Sequence, residues 1–215
     1  MFRISGIRLR YPGSESDLLG DVYIALEPGE LLFLKGPNGS GKTSLLNAIS
    51  GVIPHFVKAE LEGGVSLEGI DLASIPFNQK FRHLAYQMVD PESQIFFPSL
   101  EKEISFGLEN LGLPVGEMRS RIDAAAGYFG LKGFLRREPE KLSRGEKKLL
   151  VLAVCAALNT PLILLDEPAA SLDEFSLELL KAWLLDVKKR GGMVIAADHD
   201  PRIGTLADQT LELTL

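Results

Sequence analysis

Met1 to Tyr11 alternates apolar and basic residues, which predicts a strand over 2–10. Val22 to Leu26 predicts a second strand, and Pro28-Gly29 a turn. Leu31 to Leu34 is a short apolar strand bounded by Lys35-Gly36, and a helix is predicted from near Gly41 to about Ile49. From about Asp90 to Leu158 the pattern turns helical; Val115 to Phe129 has no β-branched run and carries several alanines. Arg136 to Lys148 is dense in charge, with bases outnumbering acids, and reads as solvated surface. The last third alternates again. Leu162 to Leu165 is a buried strand, and a helix follows from about Asp173 to Arg190 with Leu180, Trp183, Leu184 and Val187 on one face. Lys188, Lys189 and Arg190 occupy its last turn and Gly191-Gly192 lies beyond, as a helix dipole and a left-handed cap favour. Met193 to Ala197 is another buried strand. Strands alternating with helices predict a mostly parallel sheet covered on both faces.

Composition bounds the function classes. The 215 residues are 46% hydrophobic and 24% charged, enough for one sizeable domain or a core with an inserted subdomain. The net charge of −6 weighs against neutralising nucleic-acid phosphates, so no nucleic-acid partner is expected. The single cysteine, Cys155, allows no intrachain disulfide and sits in an apolar run as a small core residue. No secretory signal opens the chain. The longest uncharged apolar stretch, Leu149 to Leu165, is interrupted by Asn159, Thr160 and Pro161 and is too short to span a bilayer. A cytoplasmic protein is expected, attached to a membrane only through a partner.

Two motifs carry chemistry. Gly36-Pro37-Asn38-Gly39-Ser40-Gly41-Lys42-Thr43 matches the phosphate-loop pattern G-x-x-x-x-G-K-[ST]. Its glycines let the backbone fold tightly, so successive N–H groups point inward at phosphate oxygens, and the helix that follows aims its positive dipole end at the same anion. Lys42 is positioned to reach the β- and γ-phosphates, and the Thr43 hydroxyl to ligate Mg²⁺. The apolar strand Leu162–Leu165 runs into Asp166 and Glu167. Neighbouring strand residues point to opposite sides, so the two acids cannot share one job. Asp166 is the expected Mg²⁺ partner, and Glu167 the candidate to polarise the attacking water.

Leu142-Ser143-Arg144-Gly145-Glu146, just before an apolar helix, resembles the L-S-G-G-Q signature of the ABC ATPases. Further matches follow that family's order. Tyr11 looks like the aromatic that stacks on adenine, Gln87 like the Q-loop glutamine, Ala170-Ser171-Leu172-Asp173 like the D-loop and His199 like the switch histidine. Taken singly, Tyr11, Gln87 and His199 would be an ordinary strand aromatic, surface amide and structural histidine; their order gives them roles. The resemblance covers essentially the whole chain. It implies an α/β P-loop NTPase of the ABC-ATPase fold: a RecA-like core at residues 1–87 and 158–215, with an antiparallel β portion near the N-terminus, and a helical subdomain at 88–157. It implies that the loop residues through Ser44 hold ATP together with Tyr11, and that Ser143 and Gly145 reach the ATP of a second subunit. Gln87 would attend the metal beside Thr43 and Asp166 and lie near the attacking water, and Gln87, Glu167 and His199 would together serve hydrolysis.

The sequence departs from the family pattern at Arg144, which replaces the first signature glycine, at Glu146, which replaces the glutamine, at Ala170, and at Leu149, where many members carry arginine. Asp90-Pro91-Glu92-Ser93-Gln94 and Ser105 to Pro114 are similar to the ATPases of energy-coupling-factor importers of cobalt and vitamins. That likeness implies a transmembrane partner received in a groove near 88–110, a second ATPase subunit (identical or related), and a position at the inner face of the cell membrane. Many such ATPases continue further past the switch histidine, so a dimer resting mainly on shared ATP is expected. A soluble ABC ATPase outside transport is the alternative; the long coiled coils or nucleic-acid elements that would favour it are not seen.

Overall fold

In the computed structural model, which describes residues 1–214, nine strands and seven α-helices form two sheets. In chain order they are β1 Phe2–Arg10, β2 Leu19–Leu26, β3 Leu31–Lys35, α1 Lys42–Ser50, α2 Val52–His55, β4 Glu60–Leu67, β5 Ile70–Asp71 and β6 Leu84–Gln87. Then come α3 Leu100–Leu111, α4 Val115–Tyr128, α5 Arg144–Leu158, β7 Leu162–Asp166, α6 Glu174–Lys189, β8 Met193–Ala197, α7 Pro201–Gly204 and β9 Gln209–Glu212.

The larger sheet has the order β6-β7-β8-β3-β9, and all its pairs are parallel. Its central strands read as unbroken apolar runs because both faces are covered. Leu31, Phe33, Ile163, Leu165, Val194 and Ala196 face one core, which they share with α3 to α6. Leu32, Leu34, Leu162, Leu164, Ile195 and Ala197 face a second core with α1 and the smaller sheet. That sheet, β2-β1-β4-β5, is antiparallel throughout. In the first core the Phe129 and Trp183 rings meet edge to face at 5.4 Å, a pairing that adds about 1 kcal/mol beyond buried area.

The predicted strands and helices appear with ends displaced by a residue or so, apart from β2. It starts at Leu19 rather than Val22, because Asp21 takes a positive φ of 50° and the register with β1 shifts between Ile7 and Leu9. β4, β5, β6 and β9 were not predicted. β4 contains Gly63-Gly64 and is mostly solvent-facing, β6 has four residues, and β9 is an exposed edge. The charged run 136–148 is not solvated to its end, since Lys148 is 2% exposed.

Candidate functional site

β3 delivers the chain to the C-terminal edge of the parallel sheet, where residues 36–41 turn into α1. Gly36, Gly39 and Gly41 hold φ values of 151°, 85° and 95°, in the region that favours glycine. Space forbids a side chain as well. A Cβ on Gly36 would lie 2.4 Å from the Leu213 carbonyl oxygen, and one on Gly41 2.7 Å from the Leu19 side chain. Gly41 is the N-cap of α1 and offers no capping side chain, so the first N–H groups of the helix face the cradle. The Lys42 ammonium arches over this loop, donating to the carbonyls of Gly36 at 2.7 Å and Pro37 at 2.9 Å. Pro37, Asn38, Gly39 and Thr43 are exposed, while Ser40 is buried with its hydroxyl unpartnered.

β7 ends beside this loop. Asp166 is 1% exposed; the Thr43 and Tyr86 hydroxyls face its carboxylate, but neither completes a hydrogen bond in good geometry to either oxygen. Burial pushes its carboxyl up to about 6, and the Glu167 charge adds to the rise; the Thr43 hydroxyl and the Lys148 and Lys42 ammonium groups oppose it. Gln87, at the end of the neighbouring β6, is fully buried. Its Nε2 donates to the carbonyls of Met88 and, at 3.0 Å, of Asp166, leaving Oε1 buried and unpartnered. Asp166 and Gln87 thus contribute unsatisfied oxygen atoms beside the Thr43 hydroxyl, an oxygen-only donor set that suits a hard divalent cation. Among the described residues no cluster of three acidic, His or Cys side chains is found.

Glu167 follows with a φ of 48°, an unusual value for a residue with a Cβ. Its N–H donates to the Ala197 carbonyl at 2.7 Å, tying it to the end of β8. Asp198, just past the end of β8, is buried; its carboxylate accepts from the N–H groups of Ala169, His199 and Asp200 at 2.7 to 2.9 Å. That bracing presents His199 at the surface of a cavity of about 530 Å³ also lined by Gly36 and Pro37. Tyr11 reaches the other side of the loop, its hydroxyl 3.0 Å from the Ser44 hydroxyl.

Among the described residues no hydrogen bond joins Ser143 or Gly145 to residues 36–44. Ser143 is the N-cap of α5. Its Oγ accepts from the Glu146 N–H at 3.2 Å, and the Glu146 carboxylate accepts from the Ser143 N–H at 2.7 Å, a complete capping box. The departure from glutamine at Glu146 therefore keeps a structural partner for Ser143. Gly145 is required by packing, because a Cβ there would lie 2.8 Å from the Ser171 carbonyl oxygen.

Sequence reasoning passed over three residues of this site. Gln94 accepts from the Met88 N–H at 2.7 Å and donates to the Tyr86 carbonyl at 2.8 Å, closing the loop after Gln87. The Tyr86 hydroxyl donates to Asn47 on α1 at 3.1 Å, and burial raises its pKa above the ordinary phenol value. Asp198 is the third. The amide in Asp-Pro-Glu-Ser-Gln and the acid before His199 were visible as residues, but nothing in the pattern told of their backbone partners.

A glycine loop at the C-terminal edge of a parallel sheet, opening an uncapped helix beside a buried unpaired carboxylate, defines a P-loop nucleotide-binding protein. Residues 19–170 match the family model described as ABC transporter, and the chain belongs to that family. A putative ABC transporter ATP-binding protein of Sulfurisphaera tokodaii is 34% identical over 98% of this chain and 44% of its own length. The chain spans under half the length of several such relatives. The energy-coupling factor transporter ATP-binding protein EcfA of Methanocaldococcus jannaschii is 34% identical over 89% of this chain and 67% of its own length. The fold is that of the ATP-binding cassettes. One cassette, solved as a dimer in a post-hydrolysis state bound to ADP and Pi, superposes with a TM-score of 0.87 at 21% identity, covering 99% of this chain and 94% of that one.

Proposed function

We propose that this chain binds Mg·ATP on the loop Gly36–Ser44 and hydrolyses it to drive an ABC transporter. The observation that carries the reading is the buried Asp166 carboxylate, without a partner in good hydrogen-bond geometry and close to the Thr43 hydroxyl and Glu167. A chain that had no use for a cation there would not leave a carboxylate out of water without a partner.

The loop amides and Lys42 hold the phosphates. Thr43, Asp166 and Gln87 supply oxygen atoms to Mg²⁺, which neutralises charge on the phosphates when bound. Tyr11 offers its ring to adenine while its hydroxyl stays anchored on Ser44. Glu167 takes the proton of the attacking water, and His199 orients that water against the γ-phosphate. Ser143 and Gly145, which make no hydrogen bond to this chain's own loop among the described residues, serve the nucleotide of a second cassette, identical or related.

Among the described residues no helix is long and apolar enough to cross a membrane. Attachment to the inner face of the cell membrane runs through a transmembrane partner. Phe96 is 78% exposed at the rim of a cavity of about 540 Å³ lined by Ile95, Phe97, Arg136 and Lys147, an apolar floor with charged walls that suits an amphipathic helix. The name of the Methanocaldococcus relative supports an energy-coupling-factor role, in which the cargo is a metal ion or vitamin.

Glu167→Gln is expected to retain ATP binding and to slow hydrolysis by about 10²–10⁴-fold, the usual worth of a positioned proton acceptor. The same variant should dimerise with saturating Mg·ATP in a sedimentation experiment. Wild-type turnover sinks the role of Glu167, and a monomer at saturating Mg·ATP sinks the shared site.

A further inference from the structure

Lys148 is a buried ammonium that the mechanism above leaves unused. Its Nζ donates to the Glu167 carbonyl at 2.6 Å, and that is the one hydrogen bond it makes among the described residues. Burial pulls its pKa below the ordinary lysine value, against the pull of the Asp198, Glu167 and Asp166 carboxylates. Taking a charge out of water is costly; the three carboxylates offset part of that cost, and the one hydrogen bond the ammonium makes goes to the Glu167 carbonyl.

Its backbone gives a reason for holding it. Glu167 is a side-chain-bearing residue at a φ of 48°, a conformation that persists only where the surroundings over-determine it. The surroundings here are countable. The Glu167 N–H is fixed to Ala197, its carbonyl accepts from Lys148 at 2.6 Å and from the Ala170 N–H at 3.1 Å, and the Ala169 N–H is held by Asp198 at 2.8 Å. Of these contacts only the one from Lys148 comes from α5. Lys148 sits three residues beyond Gly145, and Gly145 packs directly on the Ser171 carbonyl. The start of α5 is therefore fastened to the segment 167–171 at two points, Gly145 on Ser171 and Lys148 on Glu167.

We propose that Lys148 is a positioning residue for Glu167. Its ammonium locks the left-handed turn from which the Glu167 carboxylate leaves the strand, and it ties that carboxylate to the helix whose first residues form the signature. Movement of the signature, when it engages the second cassette's nucleotide, then reaches the proton acceptor serving this chain's own nucleotide. The proposal rests on the reading of Glu167 as that acceptor.

The test is a double-mutant cycle on the full chain, with Lys148→Met, Lys148→Arg and Glu167→Gln, reading kcat, KM for Mg·ATP and the thermal melt. A positioning role predicts that Lys148→Met lowers kcat by roughly 10²-fold, the cost of a small misplacement of a reacting group, with KM changed less than about twofold. Lys148→Arg should recover most of that loss. In the Glu167→Gln background the Met substitution should slow residual turnover by less than about twofold, because the group it positions is gone. Wild-type kcat in Lys148→Met overturns the proposal, as does an equal slowing in both backgrounds or a rise in KM that matches the fall in kcat. Wild-type turnover of Glu167→Gln alone overturns the acceptor assignment, and this proposal with it. If the Met variant does not fold, Lys148→Gln carries the same comparison.

Discussion

α1 and α5 both begin at residues assigned to phosphate, yet their first turns are built differently. α1 starts from Gly41, which is left-handed and has no capping side chain. Around it the Ser40 hydroxyl, the Gln87 amide oxygen and both Asp166 oxygens are buried without partners. α5 starts from Ser143 inside a complete capping box, with Arg137 backing Glu146 at 3.4 Å. A helix end left unsatisfied is an anion site that gains most when filled, and the folded chain bears a cost for keeping it. A helix end satisfied by its own side chains costs nothing to keep and presents a fixed surface. The first suits a pocket that captures nucleotide, and the second a lid that closes on nucleotide held elsewhere.

The largest expected effect tests the cost at the α1 end. The Asp166 carboxyl sits at about 6 in the folded chain, above its ordinary value of 3.8. Between those values the folded state binds more protons than the unfolded state, so stability falls as pH rises through that window and stays reduced above it. The penalty is about 1–3 kcal/mol for a shift of this size. Asp166→Asn escapes it. Without Mg²⁺ or nucleotide the variant should be more stable than the wild type by that amount at pH 7.5 and no more stable at pH 4, as read by urea unfolding. It should also lose the Mg²⁺-dependent part of ATP binding. If the variant is less stable at pH 7.5, Asp166 has a partner in the folded chain and the contrast between the two helix ends fails.

How much of this was legible beforehand follows from which groups the pattern can register. β3, β7 and β8 are runs of four or five apolar residues at turn signals, and each borders a motif, so the sheet and the loop could be read together. β4 hides because Gly63-Gly64 breaks its alternation, and β9 because its side chains face solvent. At the site, Lys42, Asp166 and Glu167 stand in motifs whose spacing states their chemistry. Lys148 and Asp198 do not. A lysine inside a charged run looks solvated until the fold brings the Glu167 carbonyl to it, and an acid next to a histidine says nothing of the Ala169 N–H it will hold. Side chains whose partners are backbone groups distant in sequence leave no periodic trace.

A smaller effect separates capping from donation at the α5 end. Aspartate caps helices as well as serine does, so Ser143→Asp should leave stability within about 0.5 kcal/mol of the wild type. It replaces the hydroxyl donor with a carboxylate that repels a triphosphate. Losing one hydrogen bond to a charged group implies a fall in turnover of roughly ten- to a hundredfold, with the ATP affinity of the monomer unchanged. Steady-state hydrolysis and equilibrium titration of the monomer read the two quantities. A loss of monomer ATP affinity would mean that Ser143 serves its own chain's nucleotide, and the division between pocket and lid would be gone.

The smallest effect concerns Glu146, the residue where the sequence departs from the family glutamine. The bond from the Ser143 N–H holds its carboxyl below the ordinary glutamate range, with the Ser143 hydroxyl and then Arg137 adding to the effect against the opposing pull of burial. A depressed carboxyl contributes stability that is present above its unfolded value and lost as pH falls through the folded one. Glutamine still completes a capping box, so Glu146→Gln gives up only the charge. The ion pair with Arg137 is partly exposed on both sides, and such pairs are worth about 0.5 kcal/mol. The variant should therefore be less stable than the wild type by no more than that at pH 7, and the difference should vanish in acid, where the wild-type carboxyl is protonated. Urea unfolding at the two pH values measures both. A loss of several kcal/mol at pH 7 would show that the charge, rather than the reciprocal cap, holds the first turn of α5, and that the signature end is not satisfied by hydrogen bonds alone.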